Sequence, residues 1–220
     1  HDNLYLRNIA WGLNQISYGS EDGLYINGHV TGNSPYLTFE WKAGKDGEHH
    51  EVKTQLIGEY NFANALAAVT IGHFFDVESG KIDTALKEYT PQNNRSQLKQ
   101  TADNTLIIDA YNANPTSMQA SISNFHNMEI DNKMLILGDM RELGKDGPEE
   151  HQKIVDFLTE CGFKDVMLVG EQFAATRHDF PTYPDAPAVI EVLQKNKPHG
   201  KTILIKGSNG IKLSTVIDYL

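Results

Sequence analysis

The sequence predicts an α/β protein in two parts, with a β-rich first part and a mostly parallel sheet in the second. Up to residue 91, short runs of β-branched and aromatic residues are separated by turn residues such as Asn27-Gly28, a pattern typical of antiparallel hairpins. From residue 92 onward, short apolar runs alternate with helical segments. Such alternation is typical of parallel strands that are covered by helices on both faces.

The first part is expected to contain four strands followed by two helices. Strand-like sequence begins at residue 4, and turn residues at Gly19, 27–28, 32–33 and 45–47 separate the runs. Apolar residues at Phe62, Leu66 and Val69 then follow the period of a helix. Predicted strands cover 16–18, 24–26, 36–41 and 51–53, and predicted helices cover 60–75 and 81–89.

A domain boundary is predicted at residues 90–94, because Pro91 disfavours a helix at Thr90 and the amides after it suit a turn. Beyond the boundary, predicted strands cover 105–108, 134–137, 166–169 and 202–205, and predicted helices cover 115–124, 148–159, 171–177, 186–194 and 212–219. Ligands of such sheets bind at the carboxyl ends of the strands. The residues that follow each strand are therefore the first candidates for a site.

Composition and charge exclude several classes of protein. The chain has 220 residues, of which 40% are hydrophobic, enough for two domains of about 100 residues each. The 19 basic and 29 acidic residues give a net charge of −10, which argues against binding to nucleic acid or to an anionic membrane. The only cysteine is Cys161, and the sequence shows neither a signal peptide nor a long apolar stretch. We therefore expect a soluble, cytoplasmic protein.

Two common nucleotide-binding motifs are absent. The segment 200–202 has the Gly-Lys-Thr end of a phosphate-binding loop, but Lys195 stands at the position of the first glycine and an apolar strand follows. A G-x-G-x-x-G motif is also missing. The histidines form no H-E-x-x-H pattern, and the pair His49-His50 is expected to be solvated in a turn. No metal ligand is therefore assigned.

The start of the first helix carries two asparagines. Asn61 and Asn64 are three residues apart and share one face of the first turn. Asn61 could cap the helix, or the amides could contact a ligand, since an amide offers a donor and an acceptor side by side, as an adenine edge requires. The alanines behind them allow another element to approach closely. The residues alone leave both roles open.

Polar residues also follow three of the predicted strands of the second part. An acid at a strand end, Asp109, leads into a short polar turn before Pro115, where α/β sheets bind sugars or phosphates. The alternatives are that Asp109 only caps its loop, that Arg141 forms a surface pair with Glu142, and that Lys206 is solvated. The candidates are Arg95, Asp109, Tyr111, Asn112, Asn114, Asp139, Arg141, Lys206, Ser208 and Asn209.

Four segments together resemble the Mur ligase family of peptidoglycan synthesis. Residues 58–68, 109–115, 137–144 and 205–208 are similar to the family patterns G-x-H-N-x-x-N-A-x-A-A, D-[SA]-Y-N-A-N-P, L-G-D-M-x-E-L-G and [VI]-K-G-S. The resemblance is strongest to the branch that uses D-alanyl-D-alanine, and it covers essentially the whole chain. Two positions depart from the family. Tyr60 stands where the family usually has His, and Asn94-Arg95-Ser96 replaces the commoner Gly-Arg followed by an aromatic or aliphatic residue.

The resemblance implies an ATP-dependent amide-bond ligase that adds D-alanyl-D-alanine to UDP-N-acetylmuramoyl-tripeptide through an acyl phosphate. It also implies that the enzyme uses Mg²⁺ and is a monomer. Residues 1–91 would be the latter part of the central ATP-binding domain, and residues 92–220 the C-terminal Rossmann-like domain. The phosphate loop, metal ligands and modified lysine of the family would precede His1. We therefore assign no catalytic residue and expect the 220-residue chain alone to be inactive.

The resemblance also implies a role for each candidate. Asn64 would contact the adenine, Arg95 the phosphates and Asp109 the ribose hydroxyls, and Tyr111, Asn112 and Asn114 would line the same face. The substrate-binding residues would be Asp139, Arg141, Lys206, Ser208 and Asn209. Two alternatives remain: another ligase of the Mur or folylpolyglutamate synthase type, and a non-catalytic nucleotide-binding α/β module.

Overall fold

The protein contains two compact units, each with its own hydrophobic core. A computed structural model describes residues 4–33, 35–45, 47–92 and 94–220. The first unit is His1–Thr90 and the second is Pro91–Leu220. The start of the chain at residues 1–3, Asp46 of a predicted turn and Asn93 of the predicted boundary lie outside the described residues.

The first unit is built on a four-stranded sheet with the order β1-β2-β3-β4. Its strands are β1 Tyr18–Gly19, β2 Ile26–Asn33, β3 Tyr36–Ala43 and β4 His50–Ile57, and its helices are α1 Leu4–Ile9, α2 Phe62–Phe74 and α3 Ser79–Glu88, with a 3-10 helix at Glu59–Asn61. Helix α2 packs closely on the sheet, since a Cβ on Gly28 would lie 2.9 Å from the Leu66 side chain. The core gathers Phe39, Trp41 and Val69.

Several expectations for this unit were wrong. The predicted turns at 27–28 and 32–33 lie inside strand β2, and His50, expected to be solvated, lies in β4 with its Nδ1 2.8 Å from the Asp83 carboxylate. Antiparallel pairing holds for β2 with β3 and for β3 with β4, but β1 pairs with β2 in parallel. The connection between β1 and β2 is a loop in which the Asn27 amide donates to the carbonyls of Ser20 and Glu21, at 3.0 and 2.8 Å. The prediction of strand-like structure from residue 4 is also wrong, because Leu4–Ile9 is a helix. Leucine and arginine, which occur in this segment, are strong helix formers.

The second unit is a six-stranded sheet with the order β5-β6-β10-β7-β8-β9. All its pairings are parallel except that of β5 with β6, so the predicted α/β class is confirmed. The strands are β5 Gln97–Gln100, β6 Thr105–Asp109, β7 Lys133–Gly138, β8 Val166–Val169, β9 Thr182–Tyr183 and β10 Thr202–Lys206. The helices are α4 Pro115–Asn127, α5 Gly147–Glu160, α6 Glu171–Ala174 and α7 Ala186–Lys195, with 3-10 helices at Gly144–Asp146, Asn209–Ile211 and Leu213–Tyr219.

The differences from prediction lie at the margins of this sheet. Strands β5 and β9 were missed, because one is polar and the other is only two residues long. Helix α6 ends at Ala174, earlier than expected, where the Thr176 hydroxyl donates to the Phe173 carbonyl at 2.7 Å and the chain turns. The last predicted helix is a 3-10 helix that follows Lys212, a residue in the left-handed conformation.

The central strands place alternate residues on the two faces of the sheet. On one face, Ile108, Ile136 and Ile205 pack with residues of α7 and of the terminal 3-10 helix in a single core. Asp109 and Lys206, one residue further along β6 and β10, point to the opposite face, where the Asp109 carboxylate meets Ser121 of α4. Within the described residues, no helix is both long enough and apolar enough to cross a membrane.

Candidate functional site

Three loops meet at the carboxyl edge of the parallel sheet, because β10 lies between β6 and β7. The Ser208 N–H donates to the Asp139 carbonyl at 3.1 Å, and the Arg141 N–H donates to the Ser208 hydroxyl at 2.8 Å. The Lys206 ammonium reaches the Asn112 carbonyl at 3.3 Å. The loops after β6, β7 and β10 are therefore joined by direct hydrogen bonds.

A buried ion pair lies at the centre of this edge. Asp109 and Lys206 are register partners on β6 and β10, and the Lys206 Nζ lies 2.6 Å from Asp109 Oδ2, with side chains that are 2% and 15% exposed. The Ser121 hydroxyl donates to the same oxygen at 3.2 Å, and the Ser96 N–H approaches Oδ1 at 3.4 Å. The alternative of a solvated Lys206 is wrong, since its charge is balanced inside the unit.

Arg95 is placed on the aromatic ring of Tyr111. The guanidinium carbon lies 3.8 Å from the centroid of the ring, a distance typical of a cation–π contact. Arg95 precedes β5 and Tyr111 follows β6, its antiparallel neighbour. Both side chains are exposed.

The two asparagines of the loop after β6 serve its backbone. Asn114 caps α4, since its side-chain oxygen accepts from the Ser117 N–H at 2.8 Å while the Ser117 hydroxyl accepts from the Asn114 N–H at 3.2 Å. The Asn112 Oδ1 accepts from the Ala113 N–H at 2.8 Å. Both residues remain exposed, and the hydrogen bonds of their side chains to the backbone use the amide oxygens.

The Asp139 carboxylate is hydrogen-bonded to the backbone of the same unit. Its two carboxylate oxygens accept from the N–H groups of Gln172 and Phe173, each at 3.0 Å, at the start of α6. Gly170 precedes this helix at φ +122, and a Cβ there would collide with the carboxylate of Asp139. The position of Asp139 is therefore explained by the fold of the unit and does not by itself indicate a substrate contact.

Replacing Gly170 by alanine is expected to destabilise the second unit by about 3 kcal/mol, because it combines a backbone conformation that favours glycine with a side-chain collision. The matched control is Gly162→Ala, at φ +72 with nothing within 4 Å of the added Cβ, for which we expect about 1 kcal/mol. Urea unfolding followed by circular dichroism measures both. Equal losses of stability in the two variants would show that the Asp139 carboxylate does not require residue 170 to lack a side chain.

His151 is a residue of this edge that the sequence did not assign to a role. It is fully buried on α5, its Nε2 accepts from the Met140 N–H at 2.9 Å, and its Nδ1 faces the Gly147 carbonyl at 2.7 Å. This pattern requires a neutral ring with the proton on Nδ1. The Asp139 oxygen 3.7 Å from Nε2 is therefore not an ion-pair partner. The sequence signal was a histidine four residues after the start of a helix, which is too common to identify such a role.

A cleft of about 590 Å³ lies beside these loops, lined by Arg141, Leu143, Gln172 and Pro184 among others. The Arg141 guanidinium packs over Gly210, where an added Cβ would lie 2.5 Å from Nη1. Arg141 and Asn209 are exposed, whereas Asp139, Lys206 and Ser208 are buried. The structure thus separates the five predicted substrate-binding residues into two exposed and three internal ones.

Asn64 lies in the first unit, on the first turn of α2. Its amide is exposed and donates to the Asn61 Oδ1 at 3.3 Å. Asn61 occupies the N-cap position of α2, but its amide donates back to the Ile57 carbonyl at 2.8 Å and makes no capping bond. The side-chain capping role considered for Asn61 is therefore wrong, and Asn64 keeps an accessible amide.

No metal site is formed by the part of the chain that the structure describes, since no three His, Cys, Asp or Glu side chains there lie where they could hold an ion. The resemblance places the Mg²⁺ ligands of the family before His1, so no Mg²⁺ contact is assigned to the described residues. No step of the chemistry is therefore derived through it.

A parallel sheet with polar loops joined at its carboxyl edge defines a class, the doubly wound α/β domains that bind ligands at that edge. Residues 94–209 match the family described as "Mur ligase, glutamate ligase domain". This match covers more than half of the chain, and the chain belongs to the Mur ligase family.

The chain is also similar to individual proteins of this family. The chain is 27% identical over 223 residues to the UDP-N-acetylmuramoyl-tripeptide–D-alanyl-D-alanine ligase of Bacillus subtilis, covering 93% of this chain and 48% of that protein. It is similar in fold to MurF from Acinetobacter baumannii, with 23% identity, a TM-score of 0.77 and coverage of 98% of this chain and 48% of that one.

A third similar protein is the MurF ligase from Thermotoga maritima in complex with ADP, with 18% identity, a TM-score of 0.80 and coverage of 99% of this chain and 51% of that one. The chain thus spans about half the length of the relatives it matches.

Proposed function

We propose that this chain is part of an ATP-dependent ligase that joins D-alanyl-D-alanine to UDP-N-acetylmuramoyl-tripeptide. The observation that carries the proposal is the meeting of segments 109–115, 137–144 and 205–208 at one sheet edge. The similarity to the Bacillus subtilis ligase, over 93% of this chain, supports it. The first unit would belong to the ATP-binding domain and the second to the C-terminal domain.

The second unit offers two exposed or part-exposed groups to a nucleotide, Arg95 and Asp109, and the first unit offers one, Asn64. Asp109 uses one carboxylate oxygen for Lys206 and Ser121, while among the described residues Oδ1 has only the long contact with Ser96. Oδ1 therefore retains capacity to accept from ribose hydroxyls. Arg95 offers in-plane N–H donors that suit phosphate oxygens. The Asn64 amide offers the donor and acceptor that an adenine edge requires. Tyr111, Asn112 and Asn114 would line the same face of the second unit as Arg95 and Asp109.

On the side of the second substrate, the cleft beside β7 and β8 suits a small charged molecule. The Arg141 guanidinium forms no ion pair with any described residue, and an arginine can hold a carboxylate through two parallel hydrogen bonds. We assign Arg141 and Asn209 to the free carboxylate of D-alanyl-D-alanine. Asp139, Lys206 and Ser208 would act by holding the loops that carry these two residues.

The chemical contribution of this edge would be orientation. Formation of the amide bond requires an amine to attack an activated carboxyl group, and holding two reactants in line removes much of the entropic barrier. Arg141 would fix the far end of the dipeptide and thereby direct its amine. Arg95 would fix the phosphate chain of the nucleotide.

The test uses the product of the complete reading frame that encodes this chain. Incubation with ATP, UDP-N-acetylmuramoyl-tripeptide and D-alanyl-D-alanine is expected to release ADP and phosphate and to form the pentapeptide, as measured by mass spectrometry. Omission of either substrate should abolish ADP release. ADP release with a folate and glutamate instead would identify a ligase of the folylpolyglutamate type, and nucleotide binding without turnover would favour a non-catalytic module.

In the same protein, Arg141→Met is expected to raise the KM for D-alanyl-D-alanine by about 10- to 100-fold, because a hydrogen bond to a charged group contributes about 1.5–3 kcal/mol. The KM for ATP should stay within about twofold. Arg177→Met is the control, since Arg177 is also exposed but lies outside the loops of the site. A larger change in the KM for ATP than for the dipeptide would move Arg141 to the nucleotide side.

A further inference from the structure

Hydrogen bonds hold the backbone on both sides of the contact between Arg95 and Tyr111. On the arginine side, Asn94 and Ser96 both have left-handed backbone conformations, at φ 58 and 44, which non-glycine residues adopt only where their surroundings impose it. Ser96 is buried and its N–H points to Asp109 Oδ1. The next residue, Gln97, pairs with Ile108. The backbone of Arg95 is thus held against the end of β6.

The backbone around Tyr111 is also held by hydrogen bonds. Tyr111 lies between Ala110 and Ala113, which are both buried. The carbonyl of Asn112 accepts from the Lys206 ammonium at 3.3 Å, and its side chain accepts from the Ala113 N–H at 2.8 Å. The backbone of the loop is therefore fixed, while the ring of Tyr111 stays 45% exposed.

The charge on Arg95 is available to a ligand. Within the described ranges, Arg95 forms no ion pair, whereas the charge of Lys206 is balanced by Asp109. The N–H donors of a guanidinium lie in its plane, so a contact through its flat face leaves them free. A ring that holds this face limits the rotamers of Arg95 without using its donors, and such ordering before binding increases affinity.

We propose that Tyr111 is a positioning residue that presents the Arg95 guanidinium to the phosphate chain of a nucleotide. The inference rests on the proposed function for the identity of the ligand, and it goes beyond that function in assigning the role of Tyr111. Tyr111 acts through Arg95 and makes no contact of its own with the phosphates. The phenol oxygen has no part in this role, so phenylalanine can replace tyrosine.

The experiment measures ADP binding by titration calorimetry to the product of the complete reading frame, and it compares Tyr111→Leu, Tyr111→Phe, Arg95→Gln and the double variant Arg95→Gln/Tyr111→Leu. We expect Tyr111→Leu to raise the Kd for ADP by about two- to fivefold, as loss of an exposed cation–π contact predicts. Tyr111→Phe should stay close to the unaltered protein. In the Arg95→Gln background, Tyr111→Leu should add nothing.

Three results would overturn the inference: no binding of ADP to the unaltered protein, an unchanged Kd in Tyr111→Leu, or a Tyr111→Leu effect that persists without Arg95. The last would mean that the ring acts on the nucleotide directly. A failure of the inference about Tyr111 can be distinguished from a failure of the proposed ligase function. A protein without ligase activity that shows an Arg95-dependent Tyr111 effect would keep the inference, and an active ligase with no Tyr111 effect would refute it alone.

Discussion

Lys206→Met is expected to lower the free energy of unfolding of the second unit by about 3–5 kcal/mol, because it leaves the largely buried Asp109 carboxylate without its counter-charge. The ammonium and the carboxylate are 2.6 Å apart and their side chains are 2% and 15% exposed. Both tryptophans, Trp11 and Trp41, lie in the first unit, so their fluorescence does not report on this loss. Urea unfolding should instead be followed by hydrogen exchange in β10.

The matched control is Lys201→Met, one residue before the same strand. Lys201 is 2.7 Å from Asp165, but these side chains are 30% and 42% exposed, and an ion pair of this kind contributes about 1 kcal/mol or less. The double variant Asp109→Asn/Lys206→Met should be more stable than Lys206→Met, since it removes the unpaired charge. Equal losses for Lys206→Met and Lys201→Met would show that burial does not strengthen the first pair.

His151→Leu is expected to destabilise the second unit by about 4 kcal/mol. The change leaves both the Met140 N–H and the Gly147 carbonyl buried without their partner, and each such group costs about 1–3 kcal/mol. Because the loop after β7 loses its anchor, hydrogen exchange at residues 139–143 should also accelerate. Urea unfolding and exchange measured by mass spectrometry test the two effects.

Two variants serve as references for His151. His199→Leu removes a histidine whose side chain is 67% exposed and 3.1 Å from Asp103, and it should change stability by about 0.5 kcal/mol or less. His151→Gln keeps one acceptor and one donor and should recover part of the loss. If His151→Gln is no better than His151→Leu, the ring contributes through packing and not through its two hydrogen bonds.

The interior of the second unit was predictable because its strands are continuous apolar runs. Strands β6, β7, β8 and β10 were predicted to within about one residue at each end, as is typical of strands buried on both faces. Strands β5 and β9 have no such run and exist because a neighbouring edge pairs with them. The parallel β1 was not predictable either, because it is only two residues long and its direction of pairing with β2 is set by the tertiary structure.

The candidate site was predictable in position and less so in the role of each residue. Asp109, Asp139 and Lys206 each stand at or just after the end of a parallel strand, and parallel strands bring such residues to one edge. Their contacts could not be foreseen. Asp139 meets the start of α6, 33 and 34 residues away in sequence, and His151 binds a loop instead of solvent.

Local residue patterns therefore established the fold class, the strand ends and the family of this chain, because periodicity and short motifs are properties of neighbouring residues. The pairing of Lys206 with Asp109 joins residues 97 apart in the chain. It arises because the strand order inserts β10 between β6 and β7. Only the tertiary structure decided that Lys206 is an internal partner of Asp109, and that Arg95, held on Tyr111, keeps its charge available.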